Sequence, residues 1–132
     1  MIYGNRYSMV IDTSAILAVF FNEKYASWAA SHLNDHAREL RMSTVTLTET
    51  LIHLQDRQPQ LFKQLEEKLL SNGIRFVAPD LQQATQAAAA RMRFPLNLGD
   101  CFAYALAVQE DCPILTLDKD FRMLDCEIIH PY

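Results

Sequence analysis

Four acidic side chains stand at the ends or starts of apolar segments: Asp12 in MVIDTSAIL, Glu49 in STVTLTETLIH, Asp100 in LNLGDCFAYALAV and Asp118 in PILTLDKDF. Carboxylates are costly to bring near a hydrophobic core, so four in strand-like and buried-helix-like settings point to a shared task, such as holding divalent cations. Each also has a plain structural alternative. Asp12 suits the cap of a helix beginning near Ser14, Glu49 a capping box with Thr46, Asp100 the dipole of the helix it opens, and Asp118 a turn. Joint placement is what these alternatives leave unexplained. Carboxylates within several ångströms of one another repel, which raises some of their pKa values unless cations compensate.

The ligand type narrows the ion. Oxygen donors without His or Cys favour Mg²⁺ or Mn²⁺ over zinc or copper. Mg²⁺ keeps several of its waters, so a few carboxylates suffice, and a phosphate oxygen and a nucleophilic water can complete the set, as in two-metal phosphodiester hydrolysis. Thr13, Ser14 and Thr116 add hydroxyls beside the acids, placed to hold a ligating water or a phosphate oxygen. Ordinary turn and cap chemistry accounts equally well for Thr13 and Thr116.

The elements that must position these groups are short and alternate. Tyr7 to Ile11 reads as a buried strand, followed by helices from about Ser14 to Phe21 and from about Tyr25 to Asn34. A second strand fits Leu40 to Ser43, and the Thr46–Glu49 spacing opens a helix towards Arg57 with a break at Pro59. Gln60 to Ser71 is amphipathic, Asn72-Gly73 stops it, and Ile74 to Val77 makes a third strand. Pro79-Asp80 starts an alanine-rich helix ending near Phe94-Pro95. CFAYALAV, from Cys101 to Val108, is apolar all round and marks a deeply buried helix with Asp100 at its first turn. Pro113 to Leu117 is a fourth strand, Lys119 to Leu124 a turn or short helix, and Glu127 to Ile129 a fifth strand. This order predicts an α/β/α sandwich with a central, mostly parallel sheet of about five short strands and right-handed crossovers. In such sheets the crevice lies beyond the carboxyl ends of the strands, where Asp12 and Asp118 emerge and where the helix starts carrying Glu49 and Asp100 face.

Composition bounds the rest. With 132 residues, half of them hydrophobic, the chain can close one core, and a single domain over residues 1–132 is expected. No apolar run reaches the roughly 18 residues of a membrane span, the start lacks a signal peptide's pattern, and a cytoplasmic protein without a membrane partner is expected. Cys101, Cys112 and Cys126 form no CxxC pair and are expected as reduced, mostly buried thiols. A formal net charge of −4 argues against a strong sequence-independent grip on polyanions, although four converging acids would account for all of that excess.

In order and spacing, DTSAIL, the Thr-x-x-Glu of TLTE, GD before an alanine-rich helix and TLDKDF resemble the PIN domain, and most closely the VapC-like toxins of toxin–antitoxin pairs. The likeness runs from Val10 to about Ile129 and rests on the ordered set rather than on any one motif. It implies a PIN-type sandwich and a Mg²⁺- or Mn²⁺-dependent endoribonuclease that hydrolyses RNA phosphodiesters by a metal-activated water. By the same resemblance Asp12, Glu49, Asp100 and Asp118 are the metal-holding and catalytic acids, and Ser14 is a supporting hydroxyl. Asp120 lies where many relatives carry another acid and is expected to orient Lys119 or a water. A cognate antitoxin and a homodimer are implied as partners.

No basic stripe marks the path of an RNA, and the candidates are Arg91 and Arg93 before Asp100, with Lys119 and Arg122 after Asp118. Solvated surface charge is the alternative for each. His53 follows Glu49 by one turn, but a metal-activated water needs no histidine, and a partly buried helix residue is expected there. His130, Pro131 and Tyr132 carry no signal. Trp28, Phe20 and Phe21 are readily buried as core; in VapC-like proteins the antitoxin's C-terminal segment lies along the early helices, so an exposed Trp28 would favour a partner contact. A haloacid-dehalogenase phosphatase would need a second Asp where Ser14 stands, and a phospho-receiver domain would need an acid pair and a late Lys that are missing. The alternative that remains is a non-catalytic PIN-like module binding RNA or protein.

Overall fold

The computed structural model describes residues 7–132. Its elements run β1 (Ser8–Ile11), α1 (Thr13–Phe20), α2 (Ala26–Leu33), β2 (Glu39–Ser43), α3 (Thr44–Arg57), α4 (Phe62–Leu70), β3 (Arg75–Val77), α5 (Leu81–Arg93), α6 (Leu98–Glu110), β4 (Ile114–Leu115), a 3₁₀ helix (Lys119–Met123) and β5 (Ile128–Ile129). The five strands form one sheet in the order β3-β2-β1-β4-β5, and every pair is parallel. Each strand is two to five residues long. Strands this short make the sheet a frame for its loops.

Side chains alternate across the sheet, and the two faces carry separate cores. Val10 and Ile114 pack with Ala87, Ala90, Tyr104, Leu106 and Phe121 under α5 and α6. Met9, Ile11, Met42 and Leu115 pack on the other face with Ala15, Ile16, Ala29, Leu54 and Leu69 from α1 to α4. Met9, Ile11 and Ile114 are wholly buried, each burial stabilising by roughly 1.5–3 kcal/mol. Two filled faces give the three-layer α/β/α sandwich that the alternation of elements predicts. Among the described residues no helix is long and apolar enough to cross a membrane.

The chain runs outward from β1 through β2 to β3, then crosses back through α5 and α6 to place β4 on β1's other side. Connections therefore diverge between β1 and β4, which opens a crevice beyond their carboxyl ends. The register aligns Ile11 with Leu115, so Asp12 and Thr116 leave the sheet side by side.

Two boundary differences bear on the cleft. α3 begins at Thr44, capped by Ser43, whose Oγ accepts the Val45 N–H at 3.2 Å. Thr46 is thus inside the helix and is not its cap; a serine at the end of β2 supersedes the Thr-x-x-Glu pair because the helix follows the strand with no loop. β4 ends at Leu115 rather than Leu117 because the Thr116 Oγ accepts the Asp118 N–H at 2.9 Å and turns the chain. The Asn72-Gly73 stop holds, with Gly73 at φ 81°, a conformation open to glycine.

Candidate active site

Asp12 ends β1, and its N–H donates to the Leu115 carbonyl at 3.1 Å, fixing it beside β4. It is 4 % exposed. One carboxylate oxygen, Oδ2, accepts from the Ser14 hydroxyl and from the Thr116 hydroxyl, both at 2.9 Å. The two hydroxyls lie 3.3 Å apart but each has a single proton, and Asp12 receives both. Their lone pairs accept the N–H groups of Leu117 and Asp118 at 2.9 Å. Ser14 and Thr116 therefore join β1, α1 and the β4 exit around Asp12, with their protons directed to Asp12 and not to a phosphate oxygen.

Thr13 links the next helix. Thr50 donates to the Thr46 carbonyl at 2.8 Å, which leaves its oxygen to accept from Thr13 at 3.0 Å. That contact sets α3 against α1. One helical turn from Thr46, Glu49 is half-buried with its carboxylate over Gly99 at the start of α6, where a β-carbon would overlap it. Glu49 points into the cluster and makes no capping bond to the α3 start. Burial raises its pKa first, the Asp12 charge second, and His53 opposes both.

Asp100 lies in the first turn of α6 and is 8 % exposed, its N–H donating to the Asn97 cap at 2.8 Å. Its pKa is pushed up to about 8 by burial and then by the charges of Asp12, Asp118 and Glu49. Asp12 also titrates above the ordinary range, because burial outweighs its two hydroxyl donors. Asp118 caps the 3₁₀ helix by accepting the Asp120 N–H at 2.9 Å. Asp120 takes part through this backbone group, and its carboxylate is exposed.

All four acids line one cleft of about 210 Å³, together with Thr13, Ser14, Leu17, His53 and Asn97. Among the described residues no Lys or Arg lines it. Among the described residues, no three acidic, histidine or cysteine side chains are drawn close enough to cage an ion by themselves. His53 is exposed on the rim, not partly buried as the sequence suggested.

A PIN-domain profile matches residues 9–125. A curated "Ribonuclease VapC" of Mycolicibacterium smegmatis is 35 % identical over 130 residues, covering 92 % of this chain and all of that one. The chain belongs to the PIN-domain family and, within it, to the VapC ribonucleases. Nucleases of this family are in general metal-dependent. This PIN domain superposes on VapC20 of Mycobacterium tuberculosis, described as a sarcin–ricin-loop-cleaving toxin, with a TM-score of 0.80 at 18 % identity, over 93 % of this chain and 99 % of that one. A toxin–antitoxin complex from Klebsiella pneumoniae matches with a TM-score of 0.73 at 18 % identity, over 94 % and 98 %.

The candidate RNA contacts divide. Arg93 pairs with Asp125 at 2.8 Å and lies over the Phe94 ring. Arg91 is exposed at the end of α5. Lys119 and Arg122 flank the Tyr132 ring at 5.0 and 5.8 Å, next to Asp118 in the chain. Trp28, Phe20 and Phe21 are half-buried against the α1–α4 core, and Trp28 also meets His32 edge-on. Sequence reasoning missed Gly99, Asn97 and Thr50; only the GD pair hinted at one of them.

Proposed function

We propose that this chain is a Mg²⁺- or Mn²⁺-dependent endoribonuclease acting in the cytoplasm as the toxin of a VapBC-type pair, with Asp12, Glu49, Asp100 and Asp118 as its metal-holding and catalytic acids. The observation that carries the reading is a cleft walled by four carboxylates, three of them pushed towards the protonated form, with no Lys or Arg among the described residues of its lining. Such a set accommodates cations better than anything else.

The residues fit the ion. The four acids offer only oxygen donors, the type Mg²⁺ takes, and Mg²⁺ is held through one or two carboxylates while keeping its waters. A bound divalent ion would neutralise the carboxylates, polarise a phosphate and lower the pKa of water. Ser14 and Thr116 hold Asp12 in one orientation, Gly99 leaves room for Glu49, and Asn97 fixes the turn that presents Asp100. Single-stranded RNA is the substrate, a VapB-like antitoxin covers the site, and two copies form the toxin dimer; relatives crystallised as toxin–antitoxin complexes support the second of these.

The test is cleavage of a labelled RNA with Mg²⁺ and with EDTA. The parent cleaves only with the metal, and Asp12→Asn or Asp100→Asn slows cleavage by roughly a hundredfold or more, since even groups that merely orient a ligand are worth 10–100-fold. Undiminished cleavage by both variants would remove these acids from the reaction. Absence of both cleavage and calorimetric Mn²⁺ binding would leave a non-catalytic module.

A further inference from the structure

Beyond Ser14 the acid cleft has a neighbour. A second hollow of about 350 Å³ shares Ser14 and Leu17 with it and is lined further by Ala18, Leu117 and the rings of Tyr25 and Tyr132. The two rings meet edge to face at 5.6 Å. The Tyr132 hydroxyl donates to the Leu117 carbonyl at 2.5 Å, tying that ring to the segment leading into Asp118. Tyr132 is 43 % exposed, and His130 stacks loosely on it at 5.7 Å.

Cations surround the rings. Lys24 lies 5.1 Å from the Tyr25 ring, Lys119 5.0 Å and Arg122 5.8 Å from that of Tyr132. Among the described residues none of the three is ion-paired, whereas the one carboxylate in the lining, Glu23, is paired with Arg57 at 3.0 Å. An aromatic-walled hollow with three cations beside its rings thus adjoins a cleft of four carboxylates in a chain of net charge −4. Its size falls at the small end of ligand pockets, which run from roughly 300 to 1,000 Å³.

Aromatic faces beside unpaired cations are the means by which proteins hold single-stranded nucleic acid: rings stack bases and cations follow phosphates. A protein segment filling an apolar hollow would not call for three unpaired cations around it. We propose that this hollow binds a nucleobase of the RNA strand next to the phosphate at the acid cleft, with Tyr132 and Tyr25 as its stacking platform and Lys24, Lys119 and Arg122 on flanking phosphates. The assignment rests on the ribonuclease reading above. It gives Tyr132 a positioning role, holding the strand in register with Asp12 and Asp118 through the Leu117 contact.

Fluorescence anisotropy in EDTA, with labelled hexauridylate and with an abasic ribose-phosphate strand of the same length, tests it without cleavage. The parent binds the base-bearing strand about tenfold more tightly, the scale of one or two stacked bases. Tyr132→Ala removes most of that preference and Tyr132→Phe keeps it. Lys119→Ala and Arg122→Ala weaken both strands alike and reduce the salt slope by about 0.7 each. A preference that survives in Tyr132→Ala, or is absent from the parent, overturns the proposal and leaves the hollow to a protein partner or to solvent. A Tyr132-dependent preference in a parent that does not cleave RNA with Mg²⁺ upholds the base site and sinks the ribonuclease reading alone.

Discussion

Asp125 and Asp100 belong to the same sandwich, yet their surroundings are opposite. Asp125 accepts the Tyr104 hydroxyl at 2.6 Å and the Arg93 guanidinium at 2.8 Å, and these donors hold its pKa below the ordinary range. Asp80 is similar, with the Gln83 N–H and the Gln109 amide lowering its pKa. Asp100 has one backbone link to its cap, and burial first and the charges of Asp12, Asp118 and Glu49 second raise its pKa to about 8. Carboxylates that serve the fold are met by donors from the fold. In the cleft, burial and the neighbouring acids outweigh even the two hydroxyl donors that Asp12 does have, so the charge is left to be neutralised from outside, which separates the cleft from a surface pair without reference to any relative.

The largest consequence concerns stability without metal. A carboxyl whose folded pKa exceeds its unfolded one favours the folded state most below the unfolded value, near pH 4, and that advantage is lost as pH rises through the folded value. For Asp100 the window runs from about 4 to about 8, and Asp12 and Glu49 act in the same direction. Asp125 and Asp80, lowered from the ordinary value, contribute stability that is lost only below that window. In EDTA the protein should therefore be more stable at pH 5 than at pH 8, by up to about 4 kcal/mol at 1.36 kcal/mol per pKa unit. Asp100→Asn should flatten the profile and Mg²⁺ should restore stability at pH 8. Urea denaturation reads this directly, and a metal-free protein more stable at pH 8 would remove the contrast between the two kinds of carboxylate.

Gly99 allows a sharper cut. Its φ is not positive, so alanine suits the helix and on propensity alone should stabilise α6 by roughly 0.5–1 kcal/mol. The same methyl displaces the Glu49 carboxylate, the far end of a flexible side chain. Gly99→Ala should thus keep or raise the melting temperature while RNA cleavage falls about tenfold, the lower end of what losing an orienting contact costs a metal site. Equal cleavage in a variant of equal stability would show that the Glu49 position is not needed for the reaction.

What could be read without coordinates followed from local rules. Asp12 and Asp118 were legible as cleft residues because apolar runs ended at them, and the parallel sheet because helices separated the strands. Glu49 was ambiguous: Ser43, Thr44 and Thr46 all suit a helix start, and the choice depends on where β2 ends. Gly99 could not be read as a close-approach position, since its constraint comes from Glu49 on a helix distant in the chain. Tyr132 was silent for the same reason, its ring being set by Tyr25, Leu117 and Lys119. Strand order, too, depends on which surfaces cover which faces once all are present, and no segment carries that alone.

Arg93 gives the smallest expected effect. Its guanidinium is held by Asp125 and lies over Phe94, so the charge that could have gripped a phosphate is already engaged on the structural side of the comparison. The pair is solvent-exposed, and such pairs contribute little to stability because water screens them and two long side chains must be ordered. Arg93→Ala should lower stability only slightly and leave the salt dependence of RNA binding where it was. Lys119→Ala, measured alongside, should reduce the slope by about 0.7 for a single-strand contact. If Arg93→Ala produced the same reduction, Asp125 would have to release it on binding RNA, and a donor that the fold had claimed would belong to the site as well.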